Sequence, residues 1–112
     1  MKIAVPISNG VLNMHFGHCE KFALIDVDPD AKKILAKQEV VPPPHQPGLL
    51  PPWLAERGVN VVIAGGMGQR AQGLFAEQNI SVTVGAAAAS PEELVNQYLS
   101  GTLKTGMNVC DH

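Results

Sequence analysis

Five consecutive positions, His15-Phe16-Gly17-His18-Cys19, hold two of the chain's 4 histidines and one of its 2 cysteines. The remaining residues of these types are His45, inside a proline-rich stretch, and Cys110 and His112, which flank Asp111 at the end of the sequence. Thiolate sulfur and imidazole nitrogen are the soft and borderline donors that hold zinc, copper and iron–sulfur centres. H-x-x-H-C followed by a distant C-D-H therefore carries metal-binding chemistry. The candidate ligands are His15, His18, Cys19, Cys110 and His112, with His45 beside them. The spacing matches no paired C-x-x-C zinc signature. The plainer alternative is that the histidines cap loops and the tail carries no site.

A second stretch, AGGMGQRA, ends an apolar run and opens a helical one. Gly66, Gly68 and Ala71 fit G-x-G-x-x-A, the turn that admits a dinucleotide pyrophosphate. The acidic residue expected after the next strand is absent from ISVTVGAAAAS, and the turn follows a fourth strand instead of a first. A weaker reading remains, in which Gly66, Met67 and Gly68 let backbone N–H groups approach an anion at a helix N-terminus, with Arg70 adjacent. The alternative is a tight strand–helix turn that needs glycine for packing. Asp26 and Asp28 suggest a nuclease-like metal pair, but the first strand, KIAVPI, supplies no carboxylate to complete it. Glu92 and Glu93 belong to a helix start. No set of nucleophile, base and orienting group is visible, so an enzyme is not indicated.

These residues need a frame. Residues 2–7 read as a strand stopped by Ser8-Asn9-Gly10, 22–28 as a second, and 33–41 as a third, joined by turns short enough for antiparallel neighbours. Residues 42–52 contain six of the 9 prolines and cannot be regular structure. Helix and strand then alternate. A short helix over 51–58 is stopped by Gly58, and an all-apolar strand over 59–64 follows. The helix over 69–78 carries Ala71, Leu74, Phe75 and Gln78 on one stripe, and 80–84 is the fifth strand. The last helix has Ser90 as N-cap, Pro91 at its first position and Glu93 at its third, buries Leu94, Val95, Tyr98 and Leu99, and ends at Gly101.

This order predicts an α/β fold: a single mixed five-stranded sheet with helices on its faces, in which only the second strand runs against the rest. A right-handed crossover places the fourth strand beside the first, so the gap between them is a switch point and the usual ligand crevice. The His15–Cys19 loop and the glycine turn both leave carboxyl ends at that crevice, and His45 follows the parallel third strand. Residues 1–101 form the domain, and 102–112, without periodicity, form a flexible tail. Nine residues separate Gly101 from Cys110, a reach of about 30 Å, enough to return to the rim or to enter a second subunit.

The bulk numbers agree with one domain. The chain has 112 residues, 46% hydrophobic and 16% charged, with a net charge of -2. That balance excludes a nucleic-acid surface or a polybasic membrane patch. No run approaches the roughly 20 apolar residues of a membrane span. The apolar start is too short for a signal-peptide core, and Pro6 interrupts it. The expected location is therefore a reducing cytoplasm, where a disulfide between Cys19 and Cys110 is disfavoured.

With these motifs placed, KIAVPIS, HFGHCEKF, HQPGLLPPWLAERGVNVVIAGGMGQRA and VNQYLSGTLK, spanning residues 2 to about 104, resemble the dinitrogenase iron–molybdenum cofactor biosynthesis family, the NifX-like proteins of ribonuclease-H-like fold. The resemblance implies a non-catalytic cytoplasmic carrier or chaperone for a metal–sulfur cluster or cofactor precursor, with a cluster donor or recipient protein as partner. Many members look like F-G-R where this chain has Phe16-Gly17-His18, and lack Cys19. An arginine there suits an anionic cofactor held by charge, whereas a His-Cys pair suggests direct ligation. The expected cargo is thus an iron–sulfur or related metal–sulfur cluster, with Gly66, Met67, Gly68 and Arg70 facing its negative charge. Two cysteines are few for a four-cysteine centre, but a homodimer pooling Cys19 and Cys110 would have four. The rival readings are a mononuclear zinc or other divalent-metal protein using the same side chains, and a regulatory module that binds an anion or a partner at the rim.

Overall fold

The first strand, β1 (Lys2–Ser8), has its five middle residues buried, and β3 (Lys21–Asp28) is almost as enclosed. The computed structural model describes residues 1–14, 16, 19–44 and 48–106. β3 pairs antiparallel with β1 and with β4 (Lys33–Val40), while β5 (Val61–Ile63) lies parallel on the other side of β1 and β6 (Ser81–Thr83) parallel beyond it. The sheet order is β4-β3-β1-β5-β6, with one further short strand, β2 (Val11–Leu12), paired to β1. The mixed sheet, its directions and the placing of the fourth expected strand beside the first are as the sequence predicts.

Six strands are present where five were expected, and the extra one has a local cause. Asn9 and Gly10 both have positive φ (55° and 81°), the conformation of a two-residue hairpin turn. The chain therefore folds straight back, pairing Ser8 with Val11 and Ile7 with Leu12. A two-residue strand is too short to show a period. The expected strand over 59–64 is shorter at its start because Asn60 turns aside to bond Lys2: its N–H donates to the Lys2 carbonyl at 2.9 Å, and its side-chain oxygen accepts the Lys2 N–H at 2.9 Å.

Alternation along the strands divides the interior in two. Ile3, Val5 and Ile7 of β1, with Ile25 and Ile63, pack under α3 (Pro91–Ser100) through Leu94 and Val95. Ala4, Phe22, Leu24 and Val62 face the opposite layer, built by α1 (Leu50–Glu56) and α2 (Gln69–Glu77) around Leu54 and Phe75. Pro51 and Pro52 sit in the first turn of α1, where a missing N–H costs nothing. In α2 only Phe75 of the expected stripe is fully buried. Gln78 is exposed because the helix stops at Glu77 and Gln78 is its C-cap. Among the described residues no helix is long and apolar enough to cross a membrane.

α3 begins and ends as its sequence requires. The Ser90 hydroxyl accepts the Glu93 N–H at 3.2 Å, and Gly101 takes a left-handed φ of 76° that lets Thr102 N–H donate to the Gln97 carbonyl at 2.9 Å. Replacing Ser90 by alanine leaves that N–H without its acceptor. Ser90→Ala is therefore expected to lower the unfolding free energy by about 1 kcal/mol in urea titrations. An unchanged midpoint would mean that water replaces the cap at no cost.

Candidate functional site at the rim of the sheet

The loop that leaves β1 is pinned at both ends by one residue pair. Ser8 Oγ accepts from Asn13 Nδ2 at 2.9 Å and from Glu20 N–H at 3.0 Å, and the Glu20 N–H also reaches the Ile7 carbonyl at 3.0 Å. The chain thus leaves the strand end after Ser8 and is bonded back to it at Glu20. Inside the loop, Phe16 N–H donates to the Gly66 carbonyl at 3.3 Å, and the Phe16 ring packs against Phe22 and Phe75 at 5.7 Å and 5.4 Å between centroids. The β1 loop and the glycine turn after β5 therefore meet, as their positions at the switch point required.

Close approach explains one glycine of that turn, and it is not one of those singled out in the sequence. A Cβ on Gly65 would lie 3.0 Å from both the Cα and the sulfur of Met14, so the loop backbone rests directly on this residue. Gly68, the N-cap of α2, has nothing within 4 Å of the corresponding point, and its φ of -64° suits any residue. Met67 is buried in the α1/α2 layer, so its side chain faces the core, and its carbonyl accepts from Gln72 Nε2 at 2.8 Å. Arg70 is exposed in the first turn of α2, where no acidic residue competes for it. What the turn offers to the rim is open space over the start of α2, with Arg70 beside it.

The first part of the tail reaches the same place. Leu103 packs on the α3 side of the core, and Gly106 N–H donates to the Gly85 carbonyl at 2.7 Å. Gly85 N–H in turn donates to the Gly65 carbonyl at 2.9 Å. Gly85 has a φ of +86°, and a Cβ there would fall 2.3 Å from the Gly106 carbonyl oxygen. Three glycines in succession thus connect the tail, the segment after β6 and the turn after β5, and the last of them touches the β1 loop. The sequence analysis missed this chain, since nothing local marks Gly85 or Gly106 as contact residues.

Of the candidate ligands, His15, His18, His45, Cys110 and His112 lie outside the described residues. Cys19 is described: a free thiol, half-buried against the aromatic side of the α1/α2 layer. It lies outside every regular element, yet packing against the α1/α2 core cluster partly covers it. Burial pushes the thiol up to about 11, with a backbone hydrogen bond pulling modestly the other way. Among the described residues no three His, Cys, Asp or Glu side chains come together. Asp26 lies 3.9 Å from Lys2 Nζ, and the Asp28 carboxylate caps the following turn by accepting the N–H groups of Asp30 and Ala31. Both roles are structural, as the empty first strand suggested.

A family model described as dinitrogenase iron-molybdenum cofactor matches residues 1–101. The chain belongs to this family. An uncharacterized protein of Methanocaldococcus jannaschii is 31% identical over 110 residues, covering 93% of this chain and 90% of that one. Among solved structures, that of PH0822 superposes with a TM-score of 0.87 at 24% identity, covering 96% of both chains. The apo form of the orange protein from Desulfovibrio gigas gives 0.76 at 21% identity, covering 96% of this chain and 93% of the other. At these identities the two structures share the fold. The family match ends at Gly101, the C-cap of α3, so Cys110 and His112 stand beyond it.

Two measurements follow from the geometry. Gly85→Ala must place a side chain in left-handed backbone and against Gly106, so a loss of about 1–3 kcal/mol is expected, whereas Gly68→Ala should stay within about 0.5 kcal/mol. Equal losses would show that the tail contact contributes nothing. In a Cys110→Ala background, alkylation of Cys19 should keep accelerating with pH well past the ordinary thiol range, toward a midpoint of about 11. A thiol that holds its proton longer when folded makes the fold less stable as pH rises through 9.0 toward 11, because the unfolded chain has already released that proton. An alkylation plateau below pH 9.0 would mean that Cys19 is solvated.

Proposed function

We propose that this protein is a non-catalytic carrier that takes up a metal–sulfur cluster at the rim beyond β1 and β5 and passes it to a partner protein. The observation that carries the reading is the meeting of three segments at one place: the β1 loop through Phe16 and Gly66, the β5 turn through Gly65, and the tail through Gly85 and Gly106. Membership of a family named for an iron–molybdenum cofactor supports a cluster as cargo over a bare ion.

Cys19 is the thiol donor within the described part of the rim, and His15 and His18 are its neighbours in the same pinned loop. Cys110 is four residues beyond Gly106, a reach of about 13 Å, so the tail can bring Cys110 and His112 to the loop as further ligands. His45 is a secondary candidate. The backbone of Gly66, Met67 and Gly68 and the exposed Arg70 would meet the negative charge of a sulfide-containing cargo. Half-burial of Cys19 helps retention, since a ligand packed against the α1/α2 core is partly shielded from competing water. Exposure of Arg70 and of the first tail residues leaves a side on which a donor or recipient can approach.

Anaerobic reconstitution with iron and sulfide, followed by metal and sulfide analysis, tests the reading. The chain is expected to retain both, and Cys19→Ala and Cys110→Ala are each expected to abolish retention while the apo proteins stay folded. Amide exchange should slow in residues 13–19 and 102–112 together on loading. Stoichiometric zinc without sulfide would replace the cluster by a mononuclear site. Retention of neither, under any condition, would leave an anion- or partner-binding module.

A further inference from the structure

β4 ends the sheet, and nothing among the described residues pairs with its outer edge. Six of its 8 residues are exposed. Leu35, within it, and Val41, just after it, are 66% and 70% exposed, the highest values among the exposed large hydrophobic residues described. An edge of this kind presents a row of backbone N–H and C=O groups to any strand that can match it.

The matching strand is the same strand. Read antiparallel about Gln38, Lys37 stands opposite Glu39 and Ala36 opposite Val40, and each pair occurs twice. Opposite charges and apolar neighbours placed directly across are the pairs that stabilise an antiparallel ladder. Sliding the register by one step in either direction breaks the Lys37–Glu39 pairing, and axes at Lys37 or Glu39 set like charges face to face. Within the chain, Lys37 Nζ already lies 2.7 Å from Glu92 and 3.5 Å from Glu39, so these charges stand together on the α3 side of the edge. We propose that β4 pairs antiparallel with β4 of a second copy, with Gln38 on the twofold axis, joining two sheets into one.

The ladder closes at both ends. The bulge in the β3–β4 pairing falls at Leu35, left without a partner between Ala36 opposite Asp26 and Ile34 opposite Val27, and Pro42, which has no N–H, follows Val41. The contact is therefore a closed pair and not the start of a fibre. It also separates the rims. β1 and β4 both run against β3 and hence in the same direction, so an antiparallel β4 pair turns the two rims to opposite edges of the joined sheet. Cys19 of one copy then cannot meet Cys19 of the other across this interface, and each copy keeps its own site.

Sedimentation equilibrium of the full chain over a dilution series is expected to give a mass of twice 11.9 kDa at the concentrated end. Glu39→Lys should weaken association about tenfold or more, and adding Lys37→Glu should restore it, with circular dichroism confirming that each variant is folded. In a chain with Cys19→Ala and Cys110→Ala, Gln38→Cys should give a disulfide-linked dimer on mild oxidation, while Lys33→Cys, far from the axis, should not. A single-chain mass at every concentration would overturn the proposal. So would a dimer indifferent to Glu39→Lys, or one in which Gln38→Cys fails to cross-link.

Discussion

Everything at the rim depends on β1 being enclosed on all sides. Its middle residues are buried above and below, and its two edges are occupied by an antiparallel neighbour, β3, and a parallel one, β5. A strand in that position cannot tilt or slip, because a one-residue shift would exchange Ile3, Val5 and Ile7 for Ala4 and Pro6 under α3. The end of β1 is consequently held firmly in place. The residues with metal-binding chemistry follow it directly, in a loop that leaves at Ser8 and is bonded back to Ser8 at Glu20.

The second support is backbone packed on backbone. Gly65 lies against Met14, Gly85 bonds Gly65, and Gly106 bonds Gly85. Side chains at Gly65 and Gly85 would push these segments apart. The aromatic residues then seal the α1/α2 side: Phe16 on Phe22 and Phe75, Phe22 on Trp53 at 6.0 Å, and the Arg57 guanidinium 3.9 Å above the Trp53 ring. Cys19 packs against the same α1/α2 cluster, and its burial is what holds its proton on.

Features governed by local rules were legible in the sequence. Ser90 and Gly101 announced the ends of α3, the all-apolar Val61–Ile63 announced a strand buried on both faces, and the alternation of elements gave the strand order. The loop, the glycine turn and their meeting at the switch point followed from that order. Features that arise only when distant backbone comes together were not legible. Gly68 and Gly65 look alike in sequence, and only the fold shows that Gly65 bears the contact. Gly85 and Gly106 are 21 positions apart with no motif to link them. The burial of Cys19 comes from packing on the α1/α2 cluster, which a periodicity argument cannot assign to a loop residue. β2 was signalled by Asn9-Gly10, which stops β1 but also turns the chain back along it.

The glycine contacts have a consequence for how such a protein can change over generations. The bonds that join Gly65, Gly85 and Gly106 run between main-chain atoms, so they do not depend on which side chains stand at the exposed positions of the loop. The frame and the donors are therefore separable characters. Substitutions at exposed positions can then change what the rim displays while Gly65, Gly85 and Gly106 keep the frame in place.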